Sequence, residues 1–287
     1  IDAPQRALGW TDSVLKKAPA NADAIQLRAR ALIAMGQFEV ALKLRDVLYA
    51  DPLKVVARRI AIARALAAKG LIGRTEGEFT DAVQAHPDKP EIWLAYADWY
   101  SSRKQPNRAE MILRQGLEFC RQEAGLHSAI ASTFEMQGKL KNALIAYRVA
   151  AGLAPTVPEY EDEIARLEFI QGKPIEAIMR WRNLVANHPE AERATRRLAL
   201  AYSIADQPQE ATLLLRSLIS RHPDDEELKV QLGESLLRSG DSRQAIAVLR
   251  DALKGNVDNG KTRALLAMAL ANRGEIKEAE GMFGVAM

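Results

Sequence analysis

The chain repeats itself every 34 residues. Written in blocks of that length, glycine falls in one column at Gly36, Gly70, Gly138, Gly172, Gly240 and Gly274, with Lys104 and Asp206 in the two skipped places. Alanine fills a second column at Ala7, Ala41, Ala109, Ala143, Ala177, Ala211, Ala245 and Ala279, broken only by Thr75. A third, small-residue column runs Ala29, Ala63, Ala97, Ala131, Ala165, Ala199, Gly233 and Ala267. Proline recurs at 19, 87, 155, 189 and 223, with Pro52 one residue early and Arg121 and Val257 in its place elsewhere. Self-similarity at a fixed period makes each block one supersecondary unit that leans on its neighbours.

The columns have a physical logic. From each small residue, apolar positions at helical spacing run to the glycine column, as in "IASTFEMQG" (130–138). A second amphipathic stretch follows and is closed by proline, as in "LKNALIAYRVAAGLAP" (140–155). Each block therefore reads as two helices, turned where glycine tolerates a left-handed backbone and stopped where proline blocks continuation. The small columns let helix backbones approach, and Phe79, Tyr100, Phe134, Tyr147, Trp181 and Tyr202 fill the gaps. One hairpin cannot bury its own apolar stripe, so the hairpins must stack.

This pattern resembles the tetratricopeptide repeat (TPR) family over essentially the whole chain, most clearly at "WLAYADWY" and "AIASTFEMQGKLKNALIAYRVAAGLAP". The resemblance implies an all-α fold, a right-handed α-solenoid of stacked helix–turn–helix hairpins forming one domain over 1–287. Its full units are 22–55, 56–89, 90–123, 124–157, 158–191, 192–225 and 226–259, with partial units at 1–21 and 260–287. The chain opens on Ile1, and neither end reads as a polar capping helix. The sequence is accordingly expected to be an excised piece of a longer array, whose unfinished stacking faces favour pairing with a second copy.

Composition removes several functions. Net charge is +3 from 40 basic and 37 acidic residues, too balanced for a nucleic-acid footprint. Cys120 is the single cysteine, so neither an internal disulfide nor a cysteine zinc cluster can form. A reducing cytosol and a disulfide-free periplasm both fit, and the Ala/Leu/Arg-rich style, similar to TPR segments of bacterial envelope proteins, tips the expectation to the periplasm. No apolar run reaches the length of a membrane span. His86, His188 and His222 each precede a proline in the closing turn, and "GLIGRTEG" (70–77) lacks the lysine and strand of a phosphate loop. No catalytic, metal or cofactor constellation is expected.

Function must then lie on surfaces. The resemblance implies a groove lined by first helices, at the second, fifth, ninth, twelfth and thirteenth places of each unit. The ninth place reads Arg30, Arg64, Asp98, Ser132, Arg166, Leu200, Glu234 and Met268. The Lys/Asn clamp of chaperone-tail binders and the asparagine ladder of sugar-transferase members are both absent from their places. Candidate partner-binding residues are Arg30, Arg64, Asp98, Trp99, Ser102, Glu135 and Arg166. Arg30 and Arg64 should stand one above the other, suited to an acidic stretch of a partner protein. The alternative for all three arginines is a solvated face held by acidic neighbours.

Three residues break apolar columns. Arg28 and Arg45 suggest a loosely packed first full unit, or stems that snorkel to water. Glu168 is expected to turn outward, with Phe169 buried in its stead, because an unpaired buried carboxylate is costly. The aromatic run "EIWLAYADWY" (91–100) places Trp93, Tyr96 and Tyr100 in the core. Trp99 stands where other units carry small residues or Leu, either packed into volume cleared by Gly116 or leaning into the groove as an anchor. The expected function is a non-enzymatic protein-binding scaffold, in the narrower version part of a bacterial polysaccharide synthesis or export complex. A solenoid that binds carbohydrate directly is the alternative.

Overall fold

The structure, a computed structural model, describes residues 3–255 and 260–284. The closing place at Val257 and the outermost residues of both partial units lie outside it. The described residues divide into two compact units, Ile1–Ala154 and Pro155–Met287.

In the first unit, α1 (Ala3–Lys17) packs on α2 (Ala22–Ala34), which is followed by α3 (Phe38–Leu42) and α4 (Arg45–Leu48). Three antiparallel hairpins succeed them: α5 (Val55–Ala68) with α6 (Ile72–Ala85), α7 (Pro90–Ser102) with α8 (Pro106–Phe119), and α9 (Ala124–Met136) with α10 (Leu140–Leu153). The second unit holds four more. They pair α11 (Pro158–Ile170) with α12 (Pro174–Asn187), α13 (Glu192–Ile204) with α14 (Pro208–Arg221), α15 (Glu226–Arg238) with α16 (Ser242–Gly255), and α17 (Gly260–Asn272) with α18 (Ile276–Gly284). First helices of the seven later blocks start at residues 55, 90, 124, 158, 192, 226 and 260, and the all-α hairpin architecture is as the period requires. No described helix is long and apolar enough to cross a membrane.

The small columns are where the helices meet. Ala29, Ala63, Ala131, Ala165 and Ala267 are fully buried on first helices, as are Ala109, Ala143, Ala177, Ala211 and Ala245 on second helices. Without side chains beyond Cβ, these positions let neighbouring backbones approach, and Leu, Ile and aromatic residues interdigitate around them. The second unit's core runs without interruption from Ala165 and Trp181 to Leu270 and Ala279.

Each turn is closed by a left-handed residue. Gly36, Gly70, Gly138, Gly172, Gly240 and Gly274 have φ between 71° and 86°. Lys104 and Asp206 take the same conformation at φ 57° and 56°. The backbone geometry is thus kept where glycine is not, against the steric cost of a Cβ.

The first full unit departs from the pattern. Its second helix is split, because the Leu44 amide turns to the carbonyl of Ala41 rather than continuing the α ladder. Arg45, which begins the second piece, reaches across to the buried carboxylate of Glu78. The fully buried Arg58 of α5 donates to the Leu48 carbonyl at 3.2 Å, tying down the end of that piece. Arg28 pairs with Asp12 of α1. The two arginines of the apolar columns are therefore answered by specific acids.

Gly116 answers a different tryptophan from the one its sequence neighbourhood suggested. A Cβ at Gly116 would sit 2.8 Å from Trp93 Cγ, and the three atoms nearest it all belong to Trp93. Trp93 lies flat against α8, stacks on Phe119 at 6.1 Å and donates Nε1–H to the Pro87 carbonyl at 2.8 Å.

Two outcomes follow for stability. Lys104→Gly and Asp206→Gly should each raise the unfolding free energy by about 0.5–1 kcal/mol in urea melts, as strain relief exceeds the added chain entropy. Gly116→Ala should lower it by about 1–3 kcal/mol despite the better helix propensity, because the methyl overpacks against Trp93. Pairing it with Trp93→Leu should recover part of the loss.

Candidate functional site

The five places expected to line a groove do not behave alike. The fifth is packed: Gln26, Ile60, Leu94 and Ser128 are half-buried, Val230 is buried, and Asp162 lies almost wholly inside. The twelfth place is packed or half-buried in all but the last described block. Open positions are chiefly the second, ninth and thirteenth, which share one stripe of each first helix at spacings of seven and four residues. That stripe is the candidate site, and it differs in chemistry between the two units.

In the first unit it is polar. Arg30 on α2 and Arg64 on α5 lie exposed on two helices that pack together, and among the described residues neither has an ion-pair or hydrogen-bond partner. Asp98 on α7 is likewise exposed and unpaired. Ser102 is exposed and turns its hydroxyl to the Trp99 carbonyl at 2.7 Å. Glu135 on α9 is half-buried and accepts from the Tyr147 hydroxyl at 3.0 Å. Arg166 belongs to the second unit and is held by Glu163 at 2.5 Å.

Trp99 is 9% exposed. Its ring packs among Phe79, Tyr96 and Tyr100 at centroid distances of 6.1, 6.1 and 4.7 Å, with Arg103 over one face at 5.5 Å. Tyr96 stacks on Phe79 at 4.9 Å, joining α7 to α6. Four rings from two hairpins thus interlock edge and face. Trp93, Tyr96 and Tyr100 are buried, as their register requires.

In the second unit the stripe is apolar. Leu200, Ile204 and Met268 are 53%, 61% and 54% exposed at the ninth and thirteenth places, and Ile170 adds another exposed side chain. Between α13 and α15 lies an open cavity of about 570 Å³ with Leu200 and Ile204 on one wall and Gln231, Glu234 and Arg238 on the other. Glu234 pairs with Arg238 at 3.0 Å and with Lys261 of α17 at 3.0 Å, giving the apolar wall a charged rim. Sequence reasoning passed over these residues. Their signal was present in the ninth-place row, where Leu200 and Met268 stand among polar and charged residues.

Beside this stripe lies a network of charges that is packing rather than site. Glu168 does not turn outward: it is 3% exposed and receives both Arg180 Nε at 3.0 Å and Arg180 Nη2 at 3.1 Å. A bidentate guanidinium supplies what burial removes, and Phe169 stays half-buried against Trp181. Asp162 accepts from Trp181 Nε1 at 2.9 Å and from Arg193 Nε at 2.7 Å, with Arg197 at 2.8 Å. Burial would raise the Glu163 carboxyl, but hydrogen bonds and charge from Arg166 and Arg197 hold it below its usual value near 4.5. Arg166 of α11 and Arg193, Arg196 and Arg197 of α13 are therefore all engaged by acids, while Arg30 and Arg64 are not.

His86, His188 and His222 cap the C-termini of α6, α12 and α14, a role in turn geometry. Among the described residues no group of three or more His, Cys, Asp or Glu side chains is placed to hold a metal ion.

The comparisons agree with the fold. The family model described as Suppressor of forked protein (Suf) matches residues 67–213, just over half the chain, and the model described as Tetratricopeptide repeat matches residues 230–283. Among solved structures, the chain resembles MamA from Desulfovibrio magneticus at 18% identity, covering 57% of this chain and 93% of that one, with a TM-score of 0.54. PilF from Pseudomonas aeruginosa aligns at 18% identity over 68% and 88% of the two chains, TM-score 0.56. YrrB, described as a TPR protein with an unusual peptide-binding site, aligns at 14% over 64% and 95%, TM-score 0.53. At these identities the likeness speaks for the fold. The search of curated proteins returned no match.

The lowered Glu163 carboxyl sets the sign of an acid response. A carboxyl depressed in the folded state adds stability that is present above its unfolded pKa and lost as pH falls through the folded one. Urea midpoints should therefore fall below about pH 4.5, and Glu163→Gln should flatten that part of the profile.

Proposed function

The chain belongs to the Suppressor of forked (Suf) family of tetratricopeptide-type repeat proteins, and on that premise we propose that it is a non-enzymatic scaffold holding a partner protein on the exposed stripe of its first helices. One observation carries this reading. Leu200, Ile204 and Met268 stay half exposed or more at places the repeat leaves out of its packing, beside a cavity rimmed by charge. Large apolar side chains grouped on an otherwise charged surface are the usual mark of a protein interface, with affinity from the apolar centre and register from the rim. The tetratricopeptide-type fold is consistent with such a role, and YrrB, of similar fold, is described as having a peptide-binding site.

In the first unit the same stripe suits a different part of a partner. Arg30 and Arg64 are exposed on two helices that pack together, and neither has an ion-pair partner among the described residues, which supports an acidic partner segment there. Asp98, Ser102 and Glu135 would border it, while Trp99 would act by holding α7 in place and Arg166 by ordering Glu163. The narrower setting, a bacterial envelope complex for polysaccharide synthesis or export, rests on the Ala-, Leu- and Arg-rich character of the units. Direct carbohydrate binding would call for open ring faces, and the aromatic cluster of α6 and α7 is packed inside.

The test is affinity capture from the source cells with the chain as bait, followed by binding measurements on the purified partner. Leu200→Glu with Ile204→Glu should weaken binding at least ~10-fold with an unchanged melting temperature, since both side chains face solvent. Arg30→Glu with Arg64→Glu should weaken it by a smaller, salt-dependent factor. Full binding by the Leu200/Ile204 variant, or saturable binding of a purified polysaccharide in the absence of protein, would refute the reading.

A further inference from the structure

The second helices carry an exposed apolar row that the first-helix reading does not use. Met111 on α8, Ile145 on α10, Met179 on α12 and Leu213 on α14 occupy the same place in successive blocks, 34 residues apart, and all are half exposed or more. In the second unit this row becomes a concave site. Between α12 and α14 opens a groove of about 560 Å³. Met179, Val185 and Ala186 form one wall, Leu213 and Leu214 the other, and Leu198 and Tyr202 of α13 line the floor. Met179 and Leu213 are 58% and 71% exposed, so its apolar rim stands in water.

Two polar features show what would fill it. Tyr202 is 7% exposed, and its hydroxyl has no hydrogen-bond partner among the described residues. Tyr49, Tyr96, Tyr100 and Tyr147, by contrast, meet Glu78, Thr80, Glu76 and Glu135. The phenol oxygen still reaches solvent at the groove, so its O–H is open to an acceptor on an occupant. Arg182 on the α12 wall and Glu210 on the α14 wall are exposed, and neither has an ion-pair partner among the described residues. Both lie close enough to bear on the Tyr202 phenol, which burial pushes up.

The groove's shape selects the occupant's conformation. Its walls are helices whose backbone groups are already spent on their own ladders, so an extended segment would bury unpaired N–H and C=O groups there. A helix satisfies its backbone internally. The α12 wall from Met179 to Ala186 spans about 10–12 Å, two helical turns.

We propose that this groove docks an amphipathic α-helix of a partner protein, with two apolar residues one turn apart against Met179 and Leu213. An acidic residue of that helix bonds the Tyr202 hydroxyl and Arg182, and a basic residue faces Glu210. The flexible Met179 thioether adapts the wall to the incoming side chain.

The test uses fluorescein-labelled, hydrocarbon-stapled 16-residue helices on the full chain, read by polarisation and by methionine-methyl NMR. The probe carries leucines at i and i+4, a glutamate beside them and a lysine on the opposite flank. Controls replace the leucines with glutamine, exchange the glutamate for lysine, or break the helix with proline. The first helix should bind saturably and shift the Met179 methyl, and the controls should bind at least ~10-fold more weakly. Leu213→Glu should weaken binding ~10-fold or more, and Tyr202→Phe ~3- to 10-fold, without altering the melting temperature. Equal binding of the proline control, indifference to Leu213→Glu, or no saturable binding by any helix would overturn the proposal. A dimer seen in sedimentation and dissolved by Leu213→Glu would assign the groove to a second copy instead, and would overturn it too. The Arg30/Arg64 and Leu200/Ile204 variants should leave this binding intact, which separates its failure from failure of the first-helix site.

Discussion

Everything in this molecule depends on helices approaching closely along the alanine columns. At Ala29, Ala63, Ala131 or Ala165 a larger side chain would push the packed helices apart, as a Cβ at Gly233 of the same column would meet Leu249 of the paired second helix. The Leu, Ile and aromatic residues around them would then lose their contacts. Because a lone hairpin leaves an apolar stripe exposed, stability is shared between each unit and the interfaces on either side. A change at one of these columns should therefore be felt in two hairpins.

The same closeness explains the buried charges. Glu78, Arg58, Asp162 and Glu168 are enclosed where helices meet, and each has an opposite charge within reach on another helix. Such pairs contribute little net stability compared with apolar packing, but losing one partner leaves a costly uncompensated charge. Their value lies in register. Arg180 can chelate Glu168 in only one relative position of α11 and α12, and Arg58 fixes the end of α4 against α5.

Binding capacity is what the packing leaves over. Where the repeat uses a place for contact, as at the fifth place, even an acidic residue such as Asp162 is drawn inside. Places left outside carry the variation: arginines without partners in the first unit, leucine, isoleucine and methionine in the second. The second helices repeat the arrangement on their own side, where Met179 and Leu213 stand over the unpaired Tyr202 hydroxyl.

The sequence by itself determined the period, the helix–turn–helix hairpins and the left-handed turns at the glycine column, because these follow from local backbone chemistry repeated many times. It also sorted Trp93, Tyr96 and Tyr100 into the core through helical register. Only the structure shows that Lys104 and Asp206 keep the same backbone. Tertiary structure alone decided that Glu168 is buried on Arg180, that Gly116 makes room for Trp93, that the helix after Gly36 breaks at Leu44, and that the fifth place is closed. Those outcomes depend on side chains meeting across helices that are 10 to 35 residues apart in sequence, where direction and reach decide, and a one-dimensional register carries neither.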